Sequence, residues 1–432
     1  MILNIIQSYR QLPRNIHLLF FLEFSLCLIH VAFILILNIY LRKKGFTDPE
    51  IASFNSLRFV GALALALPLG VYIRGKKLKP FFKVVAVGVP FTSMMVIESI
   101  NFMIVPLIQL SFLLWGVFMM IMRVCSLPFI IRNTSRQSNS ESLSLIAATW
   151  SLSTIFSGSI ISGLNWISKI SLSEFTFIFN EHNVLWIITI IGVSAIYFAL
   201  KIDEGHLYSE DKVDIFSLHK SYDWHIILKA ISPLILISIG AGLTIPFVNL
   251  FFNSVFGFSA KDYSLLGSTT AFLVFIFSLL VPTLRKKYGY WMTIVVVQSF
   301  AIACLIIMSL TEIYSSNGLA MNVAIIAYVL RQPLMHMAHP ASNELMMNFV
   351  GKKNQELISA LSSSLWSGSW FISAKIFEWL RLLNYRYYEI FLITALLYLI
   401  GVFLYGFIIR EYENNQTKTK RILPIAEELT ID

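Results

Sequence analysis

The chain has 432 residues, of which 57% are hydrophobic and only 13% are charged, and its mean hydropathy is +0.73. Soluble domains carry about a quarter charged residues, and a single soluble core of this length cannot bury so much apolar surface. The composition therefore excludes a soluble protein and predicts that the bilayer is the solvent for most of the chain.

Twelve apolar runs are long enough to cross the hydrocarbon core, which takes about 20 residues per helix. Strands of alternating polarity are absent, so helices rather than a barrel must satisfy the backbone. The spans are predicted near 15–41, 50–73, 81–98, 102–131, 142–166, 184–201, 226–254, 260–284, 290–311, 318–342, 355–380 and 386–410. The expected fold is an all-α polytopic membrane protein with twelve transmembrane helices in two six-helix halves.

The long polar connection after the sixth span divides the chain almost in half. We expect an N-terminal half at 1–202, a cytoplasmic central linker at 203–224, a C-terminal half at 225–411 and a cytoplasmic tail at 412–432. Most of the 33 Lys and Arg residues fall on one side of this arrangement, which the positive-inside rule makes the cytoplasmic side. The net charge of +9 is thus explained by membrane orientation, and no nucleic-acid partner is expected.

The two halves show signs of an internal duplication. "KKGFTDPEIASF" precedes span two and "VFGFSAKDYSLL" precedes span eight, and both place a helix-capping Thr or Ser three residues before an acid. "SGS" recurs in spans five and eleven, and Arg123 and Arg331 are separated by a similar displacement. Several features that recur in order at one displacement predict parallel halves, related by an axis along the membrane normal.

These features resemble the major facilitator superfamily from about residue 15 to 410. The six-plus-six arrangement, the seventh span "GAGLTIPFVNLFFNSVFGFS" and the loops "GVYIRGKK" and "PTLRKKYGYW" after spans two and eight carry the resemblance. In the family these loops latch the halves on the cytoplasmic side, but here Lys286 stands where the family has Asp, and the first copy also lacks the acid. The resemblance assigns this loop motif to Gly70, Arg74, Arg285, Lys286, Lys287 and Gly289.

Charged groups within the spans are costly, by about 2.5–3.5 kcal/mol each at a helix centre, and usually face the bundle interior or a wet cavity. Glu23 and His30 lie seven residues apart in span one, so they share a face. Glu23 is a candidate for carrying a coupling proton, with a structural ion pair as the alternative. For His30 a hydrogen-bonded packing role is the alternative to titration.

Arg123 and Arg331 are the candidates for holding a substrate. Arginine stays charged and binds a carboxylate or phosphate through two hydrogen bonds. The spans contain three arginines but one clear acid, and such a positive surplus favours an anionic substrate. The alternative is that these arginines pair with Glu98, Glu344 or Glu378.

A polar stripe follows Arg331 along span ten. Gln332, His336, His339 and Asn343 lie on one helical face if the helix continues through two prolines. The stripe indicates a face that meets water or a ligand, and the alternative is a helix end that meets lipid headgroups. The two histidines have no third ligand nearby, so no metal site is expected, and the three single cysteines predict neither a disulfide nor a metal site.

Trp366, Ser367 and Asn249 complete the set of candidate substrate-binding residues. The resemblance places helices five and eleven at the interface between the halves, and the alternative for their small residues is close helix packing. No enzyme motif or nucleotide domain is present, and no cofactor is expected.

The sequence thus predicts a secondary transporter that moves a small solute, preferably an organic anion, by alternating access with proton coupling or exchange. It is expected in the inner membrane, with both termini cytoplasmic, and functional as a monomer. An exporter of apolar or cationic compounds is the alternative. A membrane-embedded enzyme or a non-transporting sensor is the alternative from another class.

Overall fold

A computed structural model of the chain describes residues 10–73, 76–134, 139–172, 175–204, 223–351 and 355–428. Within these ranges the chain forms twelve helical rods. The first six are α1 (Arg14–Lys43), α2 (Asp48–Tyr72), α3 (Lys79–Asn101), α4 (Val105–Asn133), α5 (Asn139–Ile167) and α6 (Glu181–Lys201). The second six are α7 (Trp224–Phe256), α8 (Ala260–Tyr290), α9 (Val297–Leu310, after a π-helical stretch at Trp291–Val296), α10 (Ala320–Val350), α11 (Gln355–Leu382) and α12 (Tyr387–Glu428). The predicted fold class is confirmed.

Seven of the helices in the described ranges are long and apolar enough to cross a membrane by length and composition: α1, α3, α4, α6, α7, α9 and α12. Three of the others, α5, α10 and α11, carry the serine-rich or polar stretches noted in the sequence. Polar residues on a spanning helix are stable where they face the bundle interior. These helices therefore indicate where the interior lies.

The structure adds a small hairpin that the sequence did not predict. Strand β1 (Lys169–Leu172) pairs antiparallel with β2 (Phe175–Ile178), with Lys169 opposite Ile178. The hairpin lies in the connection between α5 and α6, outside the predicted spans.

Several helices extend beyond their predicted spans. α10 continues past residue 342 to Val350, and Pro333 and Pro340 lie inside it without ending it. Transmembrane helices tolerate proline because neighbouring groups satisfy the freed carbonyls. α12 continues past residue 410 to Glu428. Residues 205–222 of the predicted linker lie outside the described residues, and the boundaries of the halves stay predictions.

Helices α1 and α7 are irregular at equivalent places in the two halves. α1 contains a π-helical stretch at Phe33–Leu37, and α7 contains a 3₁₀ turn at Ile245–Phe247. Pro246 accounts for the turn, because proline has no N–H and cannot continue the α-helical ladder. Each irregular stretch exposes backbone carbonyls to the other half of the protein.

The connections that follow α1 and α7 are also alike. Gly45 and Gly257 both adopt positive φ, a conformation that glycine enters without strain. After Gly257, Ser259 and Asp262 form a reciprocal capping box at the start of α8. At the start of α2, the backbone N–H of Thr47 donates to Glu50 over 2.8 Å. The helix starts predicted from the repeated sequence are present in both halves.

The two halves meet along two helix pairs, α2 with α11 and α5 with α8. Gly158 allows the second approach, because a Cβ at this position would lie 1.9 Å from Ser268 Oγ and 2.6 Å from the Ser264 carbonyl. At the equivalent position of α11, a Cβ on Gly368 would lie 3.3 Å from Leu63. Close packing, the alternative weighed for these small residues, therefore accounts for Gly158.

Polar contacts tie the halves together at the end of the bundle where α1 finishes and α2 begins, which we call the Asp48 end. The opposite end, where α1 begins and α12 finishes, is the terminal end. The Asp48 carboxylate accepts hydrogen bonds from Arg42 in its own half and from the Tyr387 hydroxyl in the other. Arg381 completes the cluster through an ion pair of 2.8 Å with Asp48. The structure is therefore closed at the Asp48 end.

Candidate functional site

Glu23 on α1 is held against α4. The Ser126 hydroxyl donates to its carboxylate, and Arg123 lies one turn before Ser126 on the same face of α4. The charge of Arg123 acts on Glu23. Arg123 is exposed and makes no hydrogen bond or ion pair within the described part of the chain. The N-terminal half thus contains a carboxylate and an accessible guanidinium as neighbours.

His30 packs among aromatic rings deeper in the same half. Its ring centroid lies 5.1 Å from that of Trp115 and 5.6 Å from that of Trp150. The side chain is buried, and its Nδ1 has no hydrogen-bond partner among the described residues. These contacts pack the ring but supply no hydrogen bond to Nδ1 among the described residues, so the role of His30 stays a prediction.

Arg331 lies inside the C-terminal half and is only 1% exposed. Its Nη2 donates weakly to the Tyr398 hydroxyl at 3.5 Å. Its Nε and Nη1 have no partner among the described residues. Arg123 is accessible and Arg331 is enclosed, so the two arginines occupy different environments although they are equivalent in the repeat.

The predicted stripe is the accessible face of α10. His336 and His339 are exposed, and Gln332 and Asn343 are half-buried. That this face meets a ligand and that it meets lipid headgroups both stay predictions. The Asn343 amide and His339 Nδ1 lie 3.2 Å apart along the stripe.

The remaining candidates have different surroundings. The ring of Trp366 lies 5.8 Å from that of His339, so α11 and the α10 stripe meet at this point. Ser367 is half-buried next to it. Asn249 is buried, and its amide nitrogen donates to the Ile34 carbonyl across the interface between the halves at 3.1 Å. Asn249 thus contacts the other half of the protein.

The three acids that offered alternative partners for the interior arginines all bind other groups. Glu98 accepts from His182 at 2.9 Å and from the indole of Trp186 at 2.6 Å. Glu344 forms an ion pair of 2.6 Å with Arg285. Glu378 pairs with Lys375 on its own helix at 2.7 Å. Among the described residues, these three acids therefore have partners other than the interior arginines.

The loop motif is only partly described. Arg74 lies outside the described residues, as does the side chain of Lys286. Gly289 adopts φ +71° and interrupts the helical conformation near the end of α8. No acidic residue stands beside Gly70 or Lys287 in the sequence to replace the missing Asp. Arg285 forms an ion pair with Glu344 on α10, and both residues belong to the C-terminal half.

Sequence reasoning did not assign a role to Arg42 or Arg381, which lie just outside the predicted spans. Arg42 reaches across to the C-terminal half, where its Nη1 donates to the Leu250 carbonyl at 3.2 Å, and its Nη2 donates to the Tyr387 hydroxyl at 2.9 Å. The guanidinium of Arg381 lies 4.4 Å from the ring of Tyr387. The available signal in the sequence was Arg42, a cation close to Asp48 at the start of α2. The partners of Arg42 in the other half, however, lie far away in the sequence.

Glu312, in the connection after α9, also lies near this cluster. Its carboxylate accepts the backbone N–H of Tyr388 at 2.6 Å, at the start of α12. Burial raises the pKa of Glu312 above its usual range, although this N–H and the charge of Arg381 act in the opposite direction. The carboxylate therefore links α9 to α12 at the Asp48 end.

The sequence between residues 19 and 374 matches the family model described as the Major Facilitator Superfamily. The chain belongs to this superfamily. No curated protein matches the sequence. Members of the family carry solutes across membranes, so the protein is a multi-pass membrane transporter of a small molecule and not an enzyme.

Solved structures with the same fold cover nearly the whole chain. The nucleoside transporter NupG superposes with a TM-score of 0.70 at 13% identity, over 92% of this chain and 99% of its own. A bacterial homologue of the iron transporter ferroportin in an inward-facing state gives 0.69 at 11% identity, over 91% and 98%. A bacterial homologue of the human lysosomal transporter Spinster, inward-facing and unoccupied, gives 0.64 at 13% identity, over 94% and 98%. At these identities the likeness concerns the fold alone.

Proposed function

We propose that this transporter moves a small organic anion across the inner membrane by alternating access, driven by proton coupling or by exchange. The observation that carries the proposal is the cation surplus of the interior. Arg58, Arg123 and Arg331 lie within the spans, whereas Glu23 is the one clear acid of the predicted spans. A fixed positive surplus in a site of low dielectric constant favours anionic solutes.

Arg123 is the first contact that we propose for the anion. It is exposed, and the described residues leave its guanidinium free of hydrogen bonds. A planar guanidinium with free donors binds a carboxylate or a phosphate through two parallel hydrogen bonds. An accessible arginine on α4 therefore offers an entering anion a complete fork of donors.

Arg331 is the second contact that we propose, reached after the C-terminal half rearranges. Its buried Nε and Nη1 lack partners among the described residues. A buried guanidinium without a counter-charge is unfavourable by several kcal/mol. An anion that reaches Arg331 would relieve that cost, and this supports a state in which the substrate bridges the two halves. We propose that the path between the two arginines is lined by His336, His339, Gln332 and Trp366.

Glu23 is the proposed carrier of the coupling proton, with His30 two turns further along the same face of α1. An anion bound to Arg123 competes with Glu23 for the same positive charge. Binding of the anion therefore favours the protonated form of Glu23, and by linkage a proton on Glu23 favours binding of the anion. The Ser126 hydroxyl can reverse its hydrogen bond and remain satisfied in either state, because a hydroxyl both donates and accepts.

The direction in which the site opens follows from the contacts between the halves. The Asp48 end is closed by Asp48, Arg42 and Arg381, whereas His336 and His339, further toward the terminal end on α10, are exposed. Access from the terminal end explains both observations. The positive-inside distribution makes this end cytoplasmic, so we propose an inward-open state and a monomer that alternates between open ends.

Uptake by the purified full-length protein in proteoliposomes tests the proposal. A panel of labelled mono- and dicarboxylates and sugar phosphates is offered under imposed proton gradients, next to cationic dyes. We expect saturable anion flux that falls at least tenfold in Arg123→Gln and in Arg331→Gln, the range expected for loss of a charged hydrogen-bond pair. Arg410→Gln, an exposed arginine near the terminal end of α12, is the matched control and should keep its flux.

The outcomes separate the alternatives. Anion flux that survives Arg331→Gln contradicts its role as a substrate contact. Dye transport without anion transport favours the exporter that the sequence left open. Anion flux in Glu23→Gln that still moves protons with substrate removes Glu23 as the proton carrier.

A further inference from the structure

A continuous row of aromatic and cationic side chains crosses from one half of the protein to the other. In the N-terminal half it begins with Trp150 on α5 and His30 on α1, whose rings lie 5.6 Å apart. The His30 ring then lies 5.1 Å from Trp115 on α4. The guanidinium carbon of Arg58 on α2 lies 5.1 Å from the same Trp115 ring.

The row continues over the α2–α11 interface. The Arg58 guanidinium lies 4.6 Å from the Phe59 ring, and Phe59 lies 5.5 Å from Trp370 in the C-terminal half. Trp370 is followed by Trp366 at 5.9 Å on α11, and Trp366 by His339 at 5.8 Å on α10. We call this set, from Trp150 to His339, the aromatic row.

Hydrogen-bond donors in the row lack partners. Trp115 Nε1, Arg58 Nε and Trp370 Nε1 are buried atoms that have no acceptor among the described residues. Buried indole N–H groups usually find an acceptor, and an unsatisfied buried donor costs about 1–3 kcal/mol. Simple packing of a core would not leave three donors without acceptors along one line of rings.

The row ends at the α10 stripe, which we propose lines the pathway. His339 is exposed, Trp366 and Trp370 are half-buried, and Trp150 is 38% exposed at the other end. A solute in contact with the α10 stripe therefore lies beside the ring of Trp366, and the donors that lack acceptors lie buried behind it along the row. Flat ring faces and free donors together are complementary to a planar, acceptor-bearing solute.

We infer that the transported anion is an aromatic carboxylate, whose ring packs against Trp366 and Trp370 and whose carboxylate, on its way from Arg123 to Arg331, accepts from Arg58 Nε and Trp370 Nε1 once movement of the halves uncovers these two atoms. This inference rests on the proposed anion transport and adds the class of substrate. It assigns a binding role to Arg58, Phe59 and Trp370. A ring on the solute would also lie beside the Arg58 guanidinium, which favours aromatic faces.

Isothermal titration calorimetry on the purified full-length protein tests the inference with two carboxylates, one with an aromatic ring and one with a saturated ring. Benzoate and cyclohexanecarboxylate have the same charge and carbon skeleton, but only benzoate is flat and aromatic. We expect benzoate to bind at least fivefold more tightly, as aromatic pairing beyond area burial predicts.

Variants on α11 separate the two parts of the site. Trp366→Leu removes a ring and should bring the two affinities within about twofold of each other by weakening benzoate. Trp370→Phe keeps a ring but removes the N–H, so it should weaken both acids about fivefold and preserve their ratio. Trp379→Leu, on the same helix but 60% exposed and outside the row, should change neither affinity.

Equal affinities for the two acids in the unmodified protein overturn the inference, as does a ratio that survives Trp366→Leu. Absence of binding of both acids up to tens of millimolar also overturns it. In these cases the proposed transport of anions still stands if flux of an aliphatic anion depends on Arg123 and Arg331. Failure of every anion to move removes the proposed function itself.

Discussion

Asn38 of α1 and Asn249 of α7 bind each other across the interface between the halves, with 3.2 Å between the Asn38 amide nitrogen and the Asn249 amide oxygen. Each also donates to a carbonyl of the opposite half. Asn38 donates to Pro246 at 2.7 Å, and Asn249 donates to Ile34 at 3.1 Å. Those carbonyls belong to the irregular stretches of α7 and α1. The two halves therefore contact each other through equivalent residues, as expected at a two-fold axis.

These reciprocal hydrogen bonds predict that substitutions of Asn38 and Asn249 have non-additive effects on stability. Asn38→Ala and Asn249→Ala should each lower the free energy of unfolding by about 1–3 kcal/mol, because each leaves a buried carbonyl and a partner amide without a hydrogen bond. The double variant should lose less than the sum of the two, since both changes remove the same contact. Thermal unfolding of the purified protein in detergent, followed by intrinsic fluorescence, measures the difference.

Asn165→Ala is the control, because the Asn165 amide bonds only within its own helix, to the Ile161 carbonyl at 2.9 Å. It should change stability by about 0.5 kcal/mol or less. Additive losses in the double variant would show that the two amides act independently.

The charged cluster at the Asp48 end predicts a change in the population of conformers. The Asp48 side chain is 5% exposed and lies between Arg42 and Arg381. Asp48→Asn leaves two half-buried cations facing each other, and loss of the buried carboxylate between them costs about 3 kcal/mol. The ratio of closed to open conformers at this end should therefore fall more than a hundredfold.

Double electron–electron resonance between spin labels on Val105 and Tyr314 detects that change in a cysteine-free background. Both residues are exposed, and they belong to opposite halves at the Asp48 end. Asp48→Asn should add a population at longer distance. Glu50→Gln alters another acid of the same helix start, whose partner is Thr47 of its own half, and should leave the distances unchanged. Identical distance distributions in both variants would remove Asp48 as the closing residue.

The sequence predicted features that depend on neighbours along the chain. The helical spans follow from runs of apolar residues, and the capping box at Ser259 and Asp262 follows from a spacing of three residues. The accessible stripe of α10 follows from the helical period. Each of these needs only local chemistry, and the structure contains all three.

The sequence did not predict contacts made by residues more than two hundred positions apart. Arg42 was counted as a loop charge because its bonds to Leu250 and Tyr387 arise only when α1 meets α7 and α12. The burial of Arg331 was also missed, since the repeat made it equivalent to Arg123 but could not tell which neighbours would cover it. The hairpin of β1 and β2 is too short to produce a clear alternation of polarity.

The close approach of α5 to α8 predicts that alanine substitutions at two glycines of α5 have opposite effects on stability. A Cβ on Gly158 would lie 2.6 Å from the Ser264 backbone carbonyl, so the helices must move apart in Gly158→Ala. Overpacking of this kind costs about 1–3 kcal/mol. A Cβ on Gly163 meets nothing within 4 Å, so Gly163→Ala should gain about 0.5–1 kcal/mol from helix propensity. The Tm of the two variants should shift in opposite directions, and equal shifts would contradict the close approach.

The environment of Glu312 predicts how stability changes with pH. Burial raises its pKa in the folded protein above the usual value of 4.5, so the folded state binds this proton more tightly than the unfolded state. The contribution to stability is therefore full below about pH 4.5 and is lost as the pH rises through the raised pKa. Glu312→Gln resembles the protonated side chain at every pH and should remove this part of the decline in stability.

The test is the difference in Tm between the variant and the unmodified protein, measured from pH 4 to pH 8. That difference should be small at pH 4 and grow in favour of the variant as the pH rises. Glu389→Gln, which alters the acid that accepts the Arg386 N–H at the same helix start, should not reproduce this growth, and a difference that stays constant with pH for Glu312→Gln would contradict the raised pKa.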